Sequence, residues 1–126
     1  MDNTSVVKPV PSPGEPSLSH ERLDVYKASI EFLAIATDIL EKLPSGSTVI
    51  SNQLDRASLS IVLNIAEGAG KQTAPDKHKF FGIAKGSAME CGGIFDALLV
   101  KRKIDRESFV TGKKLLIRIV SMLSKM

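Results

Sequence analysis

Apolar residues recur along most of the chain at alternating steps of three and four, a spacing that places their side chains on one face of an α-helix. Turn-forming and helix-capping residues divide this pattern into four segments. The segments predict helices over about 22–43, 48–67, 74–101 and 106–126. Because the connections between them are short, the sequence predicts an all-α fold, an antiparallel up-down-up-down four-helix bundle.

The first predicted helix carries two adjacent apolar stripes and only a narrow polar strip. One stripe comprises Tyr26, Ile30, Leu33, Thr37 and Leu40. The stripe beside it comprises Val25, Ser29, Phe32, Ala36, Ile39 and Leu43. An apolar face this wide is expected to contact more than one neighbour, as it does in a bundle or at a subunit interface.

The second segment combines a strand-like composition with a helix-like spacing. Residues 59–63 are rich enough in β-branched side chains to suggest a strand. The apolar positions nevertheless keep helical spacing over some four turns, and this length favours a helix. Those positions are Ile50, Leu54, Ala57, Ile61 and Ile65. Gly68 and Gly70 follow, and they predict a left-handed residue at the end of the helix.

The third segment opens with residues typical of a helix start. Thr73 is placed to cap the free amides, and Pro75 lies in the first turn, where its missing N–H is tolerated. The main apolar stripe that follows is Phe80, Ala84, Ser87, Cys91, Ile94 and Leu98, with Phe81, Ala88, Phe95 and Leu99 beside it. Four glycines interrupt this helix at about 1 kcal/mol each. Among them, Gly86, next to Ser87, is expected to mark a close crossing with another helix.

The last segment is the most regular amphipathic pattern in the chain. Asp105 is predicted to cap it. Its apolar face comprises Phe109, Gly112, Leu116, Ile119, Leu123 and Met126. The opposite face is polar at the same spacing, so this helix is expected to bury one side against the bundle.

The N-terminal stretch differs from the rest of the chain because it contains four of the six prolines. Proline lacks an amide donor and fixes φ, so this stretch cannot enter a helix interior. We therefore expect residues 1–20 to form a flexible, proline-rich tail and residues 21–126 to form one bundle domain. A proline-rich ligand function of the tail is the alternative interpretation.

The composition of the chain is that of a globular protein rather than of a membrane-spanning or secreted one. The chain has 126 residues, of which 43% are hydrophobic and 25% charged, as in an ordinary globular domain. No apolar run reaches the roughly 18–20 residues that a membrane-spanning helix needs, and no signal peptide is apparent. The single cysteine, Cys91, cannot form an internal disulfide, which predicts a cytoplasmic location.

Charge is distributed unevenly between the two halves of the chain. Residues 1–70 carry 5 basic and 9 acidic side chains, net −4, whereas residues 71–126 carry 12 basic and 5 acidic ones, net +7. A basic half favours nucleic acid, because Lys and Arg release counterions from phosphates. It equally allows a basic face of one subunit to meet an acidic face of another.

Motifs for catalysis or metal binding are weak. The run from Gly68 to Thr73 resembles the end of a phosphate-binding P-loop, but it lacks the full spacing and follows a predicted helix rather than a strand. Neither His20 nor His78 has the Glu three residues earlier that a di-iron bundle requires. Cys91 lies on the apolar stripe and is interpreted as a core residue. The sequence predicts no enzyme activity, no metal and no cofactor.

Several polar residues lie close to the apolar stripes of the second and third helices. They are Gln53, Arg56, Asn64, Glu67, Ser87 and Glu90. If they face inward, they must be hydrogen-bonded across helices. The expected pairs are Arg56 with Glu67 or Glu90, and Asn64 with Ser87. We interpret the set as a structural network or oligomer contact, with a ligand pocket as the alternative.

Four sequence runs resemble the family of 23S rRNA intervening-sequence proteins. They are 23–26 (Leu-Asp-Val-Tyr), 53–57, 60–68 with its Asn-Ile-Ala-Glu-Gly ending, and 79–90 with Gly-Ser-x-x-Glu. The chain departs from the family pattern at Asp55, where a second basic residue is common, at Val62, where proline is frequent, and at Lys79, where arginine is usual. The resemblance covers everything except the tail.

The resemblance implies a four-helix bundle that assembles as a barrel-like homopentamer. It also implies no known enzymatic activity. Some relatives are encoded within inserts of ribosomal RNA genes, and a related group comprises retroelement accessory variability proteins, which assist reverse transcription. A reverse transcriptase is therefore one partner that the resemblance suggests.

The leading functional hypothesis is a non-enzymatic, cytoplasmic bundle that self-assembles into a ring and binds nucleic acid, RNA or DNA, through phosphate contacts. The candidate contacts are Lys71, Lys77, Lys79, Lys101, Arg102, Lys103, Lys113, Lys114 and Arg118. The alternative is an oligomeric scaffold for a protein partner that binds no nucleic acid. A bundle that binds a small ligand or metal ranks last.

Overall fold

The computed structural model describes Pro9 and residues 11–126. This part of the chain forms α-helices and short 3₁₀-helices and contains no strand. The α-helices are α1 (Asp24–Lys42), α2 (Thr48–Ala69), α3 (Ala74–Val100) and α4 (Arg106–Ser124), and 3₁₀-helices span Ser19–Arg22 and Ser45–Ser47. The predicted all-α class is confirmed. Of the predicted tail, residues 1–8 and 10 lie outside the described residues.

The four helices pack in chain order around one core. Each α-helix contacts the next, and α4 closes the arrangement against α1. The short connections make consecutive helices antiparallel, so the α1–α2 and α3–α4 connections share one end of the bundle and the α2–α3 connection lies at the other. The predicted four-helix bundle is therefore the observed architecture.

Two predicted helix caps are present. The hydroxyl of Thr73 accepts a hydrogen bond from the amide of Asp76 at 3.3 Å, and the carboxylate of Asp105 accepts one from the amide of Ser108 at 2.7 Å. These bonds satisfy amides that have no intrahelical partner. The hydrogen bond from the Ser108 amide lowers the pKa of Asp105, because it stabilises the ionised carboxylate.

The predicted left-handed end of α2 is wrong. Gly68 lies inside the helix, and Gly70 has a right-handed φ of −83°. The last carbonyls of α2 find other donors: the Gly70 amide bonds to Ala66 and Glu67, and the Lys77 ammonium donates to the Ala69 carbonyl at 3.1 Å. A left-handed residue is therefore not required to satisfy them.

The core consists of aliphatic side chains around a pair of phenylalanines. Phe32 of α1 and Phe95 of α3 are fully buried, and their ring centroids are 5.3 Å apart. The predicted stripe of α2 is confirmed from Leu54 to Ile65, which settles the strand-or-helix ambiguity in favour of the helix. On α4, Gly112, Leu116, Ile119 and Leu123 are buried as predicted, whereas Met126 is exposed.

Of the two stripes of α1, the second forms the core. Val25, Phe32 and Ile39 are buried, whereas Tyr26 and Leu40 are only half-buried at its flank and Thr37 is exposed. The reason is geometric, because α1 lies between α2 and α4 and only the side chains that point between these neighbours are enclosed. The wide apolar face does contact two helices, as predicted.

Close helix packing occurs at two glycines that the prediction did not single out. A Cβ at Gly68 would lie 2.8 Å from Cε1 of Phe81, and one at Gly112 would overlap the ring of Phe95. Gly86, by contrast, faces open space. The predicted close crossing at Gly86 is wrong, because this residue lies on the side of α3 that points away from the bundle.

Candidate nucleic-acid and self-association surfaces

The structure distributes the nine predicted basic contacts over three places. The first is the bundle end at the α2–α3 connection, where Lys71 and Lys77 are engaged within the chain. The Lys71 ammonium lies 3.0 Å from the carboxylate of Glu67, four residues earlier, and Lys77 donates to a backbone carbonyl of α2. Lys79 has no ion pair among the described residues and lies 5.4 Å from the centroid of the Phe80 ring.

The second place is the opposite end of the bundle, at the α3–α4 connection. Lys101, Arg102 and Lys103 are exposed there and make no ion pair with any described residue. Arg102 has a φ of 59°. Its amide bonds to the Leu99 carbonyl at 3.0 Å, and that of Lys103 bonds to the Leu98 carbonyl at 2.8 Å, a pattern that ends a helix with a left-handed residue.

The third place is the surface of α4, where the basic groups have acidic neighbours. Lys113 forms an ion pair with Asp96 of α3 at 2.7 Å. Lys114 and Arg118 line a groove together with Glu31 and Asp38 of α1. The negative potential of these carboxylates reduces the attraction of this surface for a phosphate.

The polar residues of α2 and α3 form a network that crosses between the two helices on their outer surface. Arg56 donates to Glu90 at 2.8 Å, one of the two pairings predicted for it. The predicted Asn64–Ser87 pair is wrong: Asn64 bonds to Ser60, and the hydroxyls of Ser60 and Ser87 are 2.8 Å apart. Ser60 was missed as the bridging residue.

The remaining members of that set are separate from the network. Glu67 pairs with Lys71 instead of Arg56, and Gln53 is exposed near the start of α2. The side chains of Arg56 and Glu90 are 64% and 38% exposed, so this pair lies at the surface and does not face inward. An exposed ion pair of this kind contributes at most about 1 kcal/mol to folding.

Exposed apolar residues lie beside this network and were missed by the sequence reasoning. We call them the α2–α3 outer surface; its apolar members are Leu59, Leu63, Ile83 and Met89, with Gly82, Gly86 and Gly93 between or beside them. Leu63 and Met89 are 56% and 62% exposed. The available signal was their position opposite the buried stripes, since an apolar side chain there has no neighbour within the chain.

A shallow groove continues this surface between α3 and α4. Its volume is about 490 Å³, and its walls include Met89, Gly92, Ile117 and Val120, with the Asp96–Lys113 pair at one side. Ile117 is 64% exposed. The outward side of α3 is therefore flanked by apolar groups on both edges.

The single cysteine and the possible metal ligands have defined surroundings in the described part of the chain. Cys91 is fully buried, as its place on the apolar stripe predicted, and burial raises the pKa of its thiol to about 12. Within the described part of the chain, no three His, Cys, Asp or Glu side chains lie close enough together to hold a metal ion. No described helix is both long and apolar enough to cross a membrane.

Fold and surface together define a small helical-bundle protein with an apolar outer surface and basic residues at its ends. The chain belongs to the family of 23S rRNA-intervening sequence proteins, whose pattern matches residues 21–125. This match confirms the resemblance carried by the α2 and α3 motifs.

A solved structure agrees with this assignment. The chain is similar to the crystal structure of a protein of unknown function from the S23 ribosomal protein family of Bacteroides thetaiotaomicron VPI-5482. The two chains are 26% identical and have a TM-score of 0.73, over 79% of this chain and 94% of the other. No curated protein matches the chain.

Proposed function

We propose that this protein is a non-enzymatic, cytoplasmic bundle that assembles with copies of itself and binds RNA through phosphate contacts. The observation that supports it is a segregated surface. Apolar and glycine positions are exposed on α2 and α3, whereas three consecutive exposed basic residues without an ion pair to any described residue, 101–103, lie at the α3–α4 connection. One surface is suited to another copy of the chain and the other to a polyanion.

Self-assembly is proposed through the α2–α3 outer surface. Fully burying a Leu, Ile or Met side chain contributes about 1.5–3 kcal/mol, so partial burial of four such side chains supplies several kcal/mol. The adjacent Arg56–Glu90 pair adds groups that hydrogen-bond across an interface. The glycines of α3 allow a neighbouring backbone to approach closely. The ring of five subunits that the family resemblance implies is the proposed form of the assembly.

Nucleic-acid binding is proposed through charge rather than base recognition. Six of the nine candidates have neither an ion pair nor a side-chain hydrogen bond with a described residue: Lys79, Lys101, Arg102, Lys103, Lys114 and Arg118. The α3–α4 connection is the strongest part of this set, because its three basic residues are consecutive and exposed. Phosphate contacts of this type bind many sequences and determine register rather than specificity.

Light scattering tests the assembly. We expect the chain to form particles several times heavier than its 13.6 kDa. Leu63→Glu combined with Met89→Glu should release monomers, because the interface would then have to bury unpaired carboxylates. Val110→Glu, at another exposed apolar residue on α4, is the control and should leave the assembly intact. A wild-type monomer at micromolar concentration would refute the proposed assembly.

Fluorescence anisotropy with a single-stranded RNA tests the charge hypothesis. If six phosphate contacts form, the logarithm of the association constant should fall with the logarithm of the salt concentration with a slope of about −4. Replacing Lys101, Arg102 and Lys103 by Gln should weaken binding and reduce that slope by about 2. The control replaces Lys27, Lys85 and Lys125 by Gln, which removes the same charge from exposed positions elsewhere.

The two triple variants distinguish a localised RNA-binding surface from a general effect of net charge. Equal losses in both would show that only net charge matters, which contradicts a localised interface. Binding that does not change with salt would refute phosphate contact altogether. Assembly without any RNA binding would favour the scaffold alternative, for which the apolar groove between α3 and α4 is the docking surface to examine.

A further inference from the structure

Phe80 is a phenylalanine that the core of the bundle does not use. Of the five phenylalanine rings, all of which lie in the described part of the chain, three belong to the buried core and Phe109 packs against it. Phe80 begins the apolar stripe predicted for α3, yet it is only half-buried and belongs to neither group. Part of this aromatic side chain is therefore open to solvent and accessible to a ligand.

Contacts between α2 and α3 hold Phe80 in place. Its Cβ lies 3.2 Å from the position that a Cβ of Gly68 would occupy, so the two helices approach closely at this residue. The Lys77 ammonium donates to the Ala69 carbonyl at 3.1 Å, and the Thr73 hydroxyl caps the start of α3. Because these contacts fix the first turns of α3 against the end of α2, the Phe80 backbone is already positioned before a ligand binds.

Two ammonium groups lie beside the Phe80 ring. The Nζ atoms of Lys71 and Lys79 are 5.0 and 5.4 Å from its centroid, within the range of a cation–π contact. Lys71 is held by the carboxylate of Glu67, 3.0 Å from its ammonium group. Lys79 is exposed and has no ion pair with a described residue, so its side chain can turn from the ring to a phosphate. An accessible aromatic ring and a free cation are thus adjacent.

Phe109 provides a comparison within the same chain. Its ring also has two cations nearby, with Arg106 at 5.8 Å and Lys113 at 5.3 Å from the centroid. Phe109 packs against the core, however, and Lys113 is paired with Asp96. Cations beside a ring are therefore common to both residues, and what distinguishes Phe80 is its place outside the core.

We infer that the Phe80 ring stacks on an unpaired base of single-stranded RNA while Lys79 binds a neighbouring phosphate. This inference rests on the proposed RNA binding and adds to it a contact that is not electrostatic. An aromatic ring stacks on any base, because every base has a π-face, so the contact tolerates many sequences. Double-stranded RNA does not make this contact, because its bases are already stacked on one another.

Fluorescence anisotropy of the full chain with a single-stranded RNA tests the contact. Phe80→Leu keeps an apolar side chain but removes the aromatic face, so it should weaken binding about tenfold. The dependence of the association constant on salt should not change, because no phosphate contact is lost. Lys79→Gln should instead reduce the slope of that dependence by about 0.7. Phe80→Trp restores an aromatic face and should bind at least as tightly as the wild-type chain.

Phe109→Leu is the matched control, because it removes the other ring that has two cations beside it. It should leave the dissociation constant for RNA within about twofold. Inorganic polyphosphate, which carries phosphates but no bases, should bind equally to the wild-type chain and to Phe80→Leu. Thermal unfolding checks that each variant is folded. Nuclear magnetic resonance needs no variant: RNA should shift the ring proton signals of Phe80 upfield, the direction that a stacked base causes, and polyphosphate should not.

The outcomes separate the stacking contact from the proposed function. Salt-dependent RNA binding that is unchanged in Phe80→Leu would overturn the stacking contact alone. An equal loss in Phe109→Leu, or an equal loss with polyphosphate, would also overturn it, because the effect would not depend on bases at this ring. Dissociation of the assembly by Phe80→Leu in light scattering would show that the ring packs against another subunit and would overturn it as well.

Two further outcomes concern the proposed function. Binding that is insensitive to salt but is lost in Phe80→Leu would support stacking and refute the phosphate contacts alone. A wild-type chain that binds no RNA would refute the proposed RNA binding, and the stacking contact with it.

Discussion

Glycines that contact the inner side of α3 are crowded, whereas glycines on its outer side are exposed. On the inner side, Phe81 and Phe95 project from α3 onto Gly68 of α2 and Gly112 of α4, at contacts too close for a Cβ. On the outer side, Gly82, Gly86 and Gly93 face open space. The phenylalanines of α3 therefore pack against glycines of the neighbouring helices, whereas the glycines of α3 itself are exposed.

The difference shows which glycines are required by packing within the chain and which are not. A glycine inside a helix costs about 1 kcal/mol relative to alanine. At Gly68 and Gly112 the contact with a phenylalanine ring offsets this cost, because the ring is buried in the space that a Cβ would occupy. At the outer positions no contact with another described residue offsets this cost. The outer glycines therefore support the proposal that another molecule packs against this side.

Thiol reactivity gives the largest contrast between the two sides. Burial raises the pKa of Cys91 from 9.0 to about 12, with a smaller upward effect from the neighbouring Glu90 carboxylate and an opposing effect from Arg56 included in that value. Three pKa units correspond to about a thousandfold less thiolate near neutral pH. In a Lys85→Cys variant at pH 8, iodoacetamide should modify the exposed thiol at position 85 rapidly and Cys91 only after unfolding. Equal rates for the two thiols would contradict the burial of Cys91.

Gly112→Ala should have the largest effect on stability. Its new methyl group would overlap the fully buried ring of Phe95, and enlarging a packed core residue costs about 2–3 kcal/mol. Urea denaturation should show a lower midpoint with an unchanged slope. Gly93→Ala, on the open side of α3, is the matched control and should not destabilise the chain. A neutral Gly112→Ala would show that the Phe95 ring moves aside freely.

Gly68→Ala should destabilise the chain less, by about 1–2 kcal/mol. Its Cβ would lie 2.8 Å from Cε1 of Phe81 and 3.2 Å from Cβ of Phe80, so both side chains must shift. Phe81 is 6% exposed and lies near the end of the bundle, where movement is easier than around Phe95. Thermal and urea unfolding measure the difference, and Phe81→Leu in the same background should restore part of the loss. A larger loss of stability in Gly68→Ala than in Gly112→Ala would contradict this prediction.

Gly86→Ala should have the opposite sign. A methyl group there meets no described residue, so the free energy of unfolding of the monomer should rise by about 1 kcal/mol. The same methyl group should weaken self-association if a neighbouring subunit packs closely on this side. Urea unfolding of the monomeric Leu63→Glu, Met89→Glu background isolates the first effect, and light scattering measures the second. Stronger association would contradict the proposed interface.

Arg102→Gly should produce the smallest gain, about 0.5–1 kcal/mol. Arg102 has a φ of 59°, which a side chain disfavours and glycine adopts freely. The two hydrogen bonds that end α3 would remain, since both are made by backbone atoms. Urea denaturation checks the gain, with Lys101→Gly as the control that should be destabilising, because Lys101 is right-handed. A loss at position 102 would show that the arginine side chain stabilises the connection.

Much of the candidate site was accessible to sequence reasoning because it depends on local signals. The Arg56–Glu90 pairing followed from charges on neighbouring helices, and the Lys101–Lys103 run followed from charge alone. The exposed apolar side chains of the α2–α3 outer surface did not follow from the sequence, because their exposure depends on how the packed helices are rotated relative to one another.

The sequence by itself determined the number of helices, their limits within one or two residues and most of their buried faces. These features depend on local hydrogen bonds, caps and apolar periodicity, which act over a few residues. Only the tertiary structure decided which stripe of α1 faces the core, which glycines are crowded and how Ser60 links Asn64 to Ser87. Those outcomes depend on the relative rotation of packed helices, a property that involves side chains from all four at once.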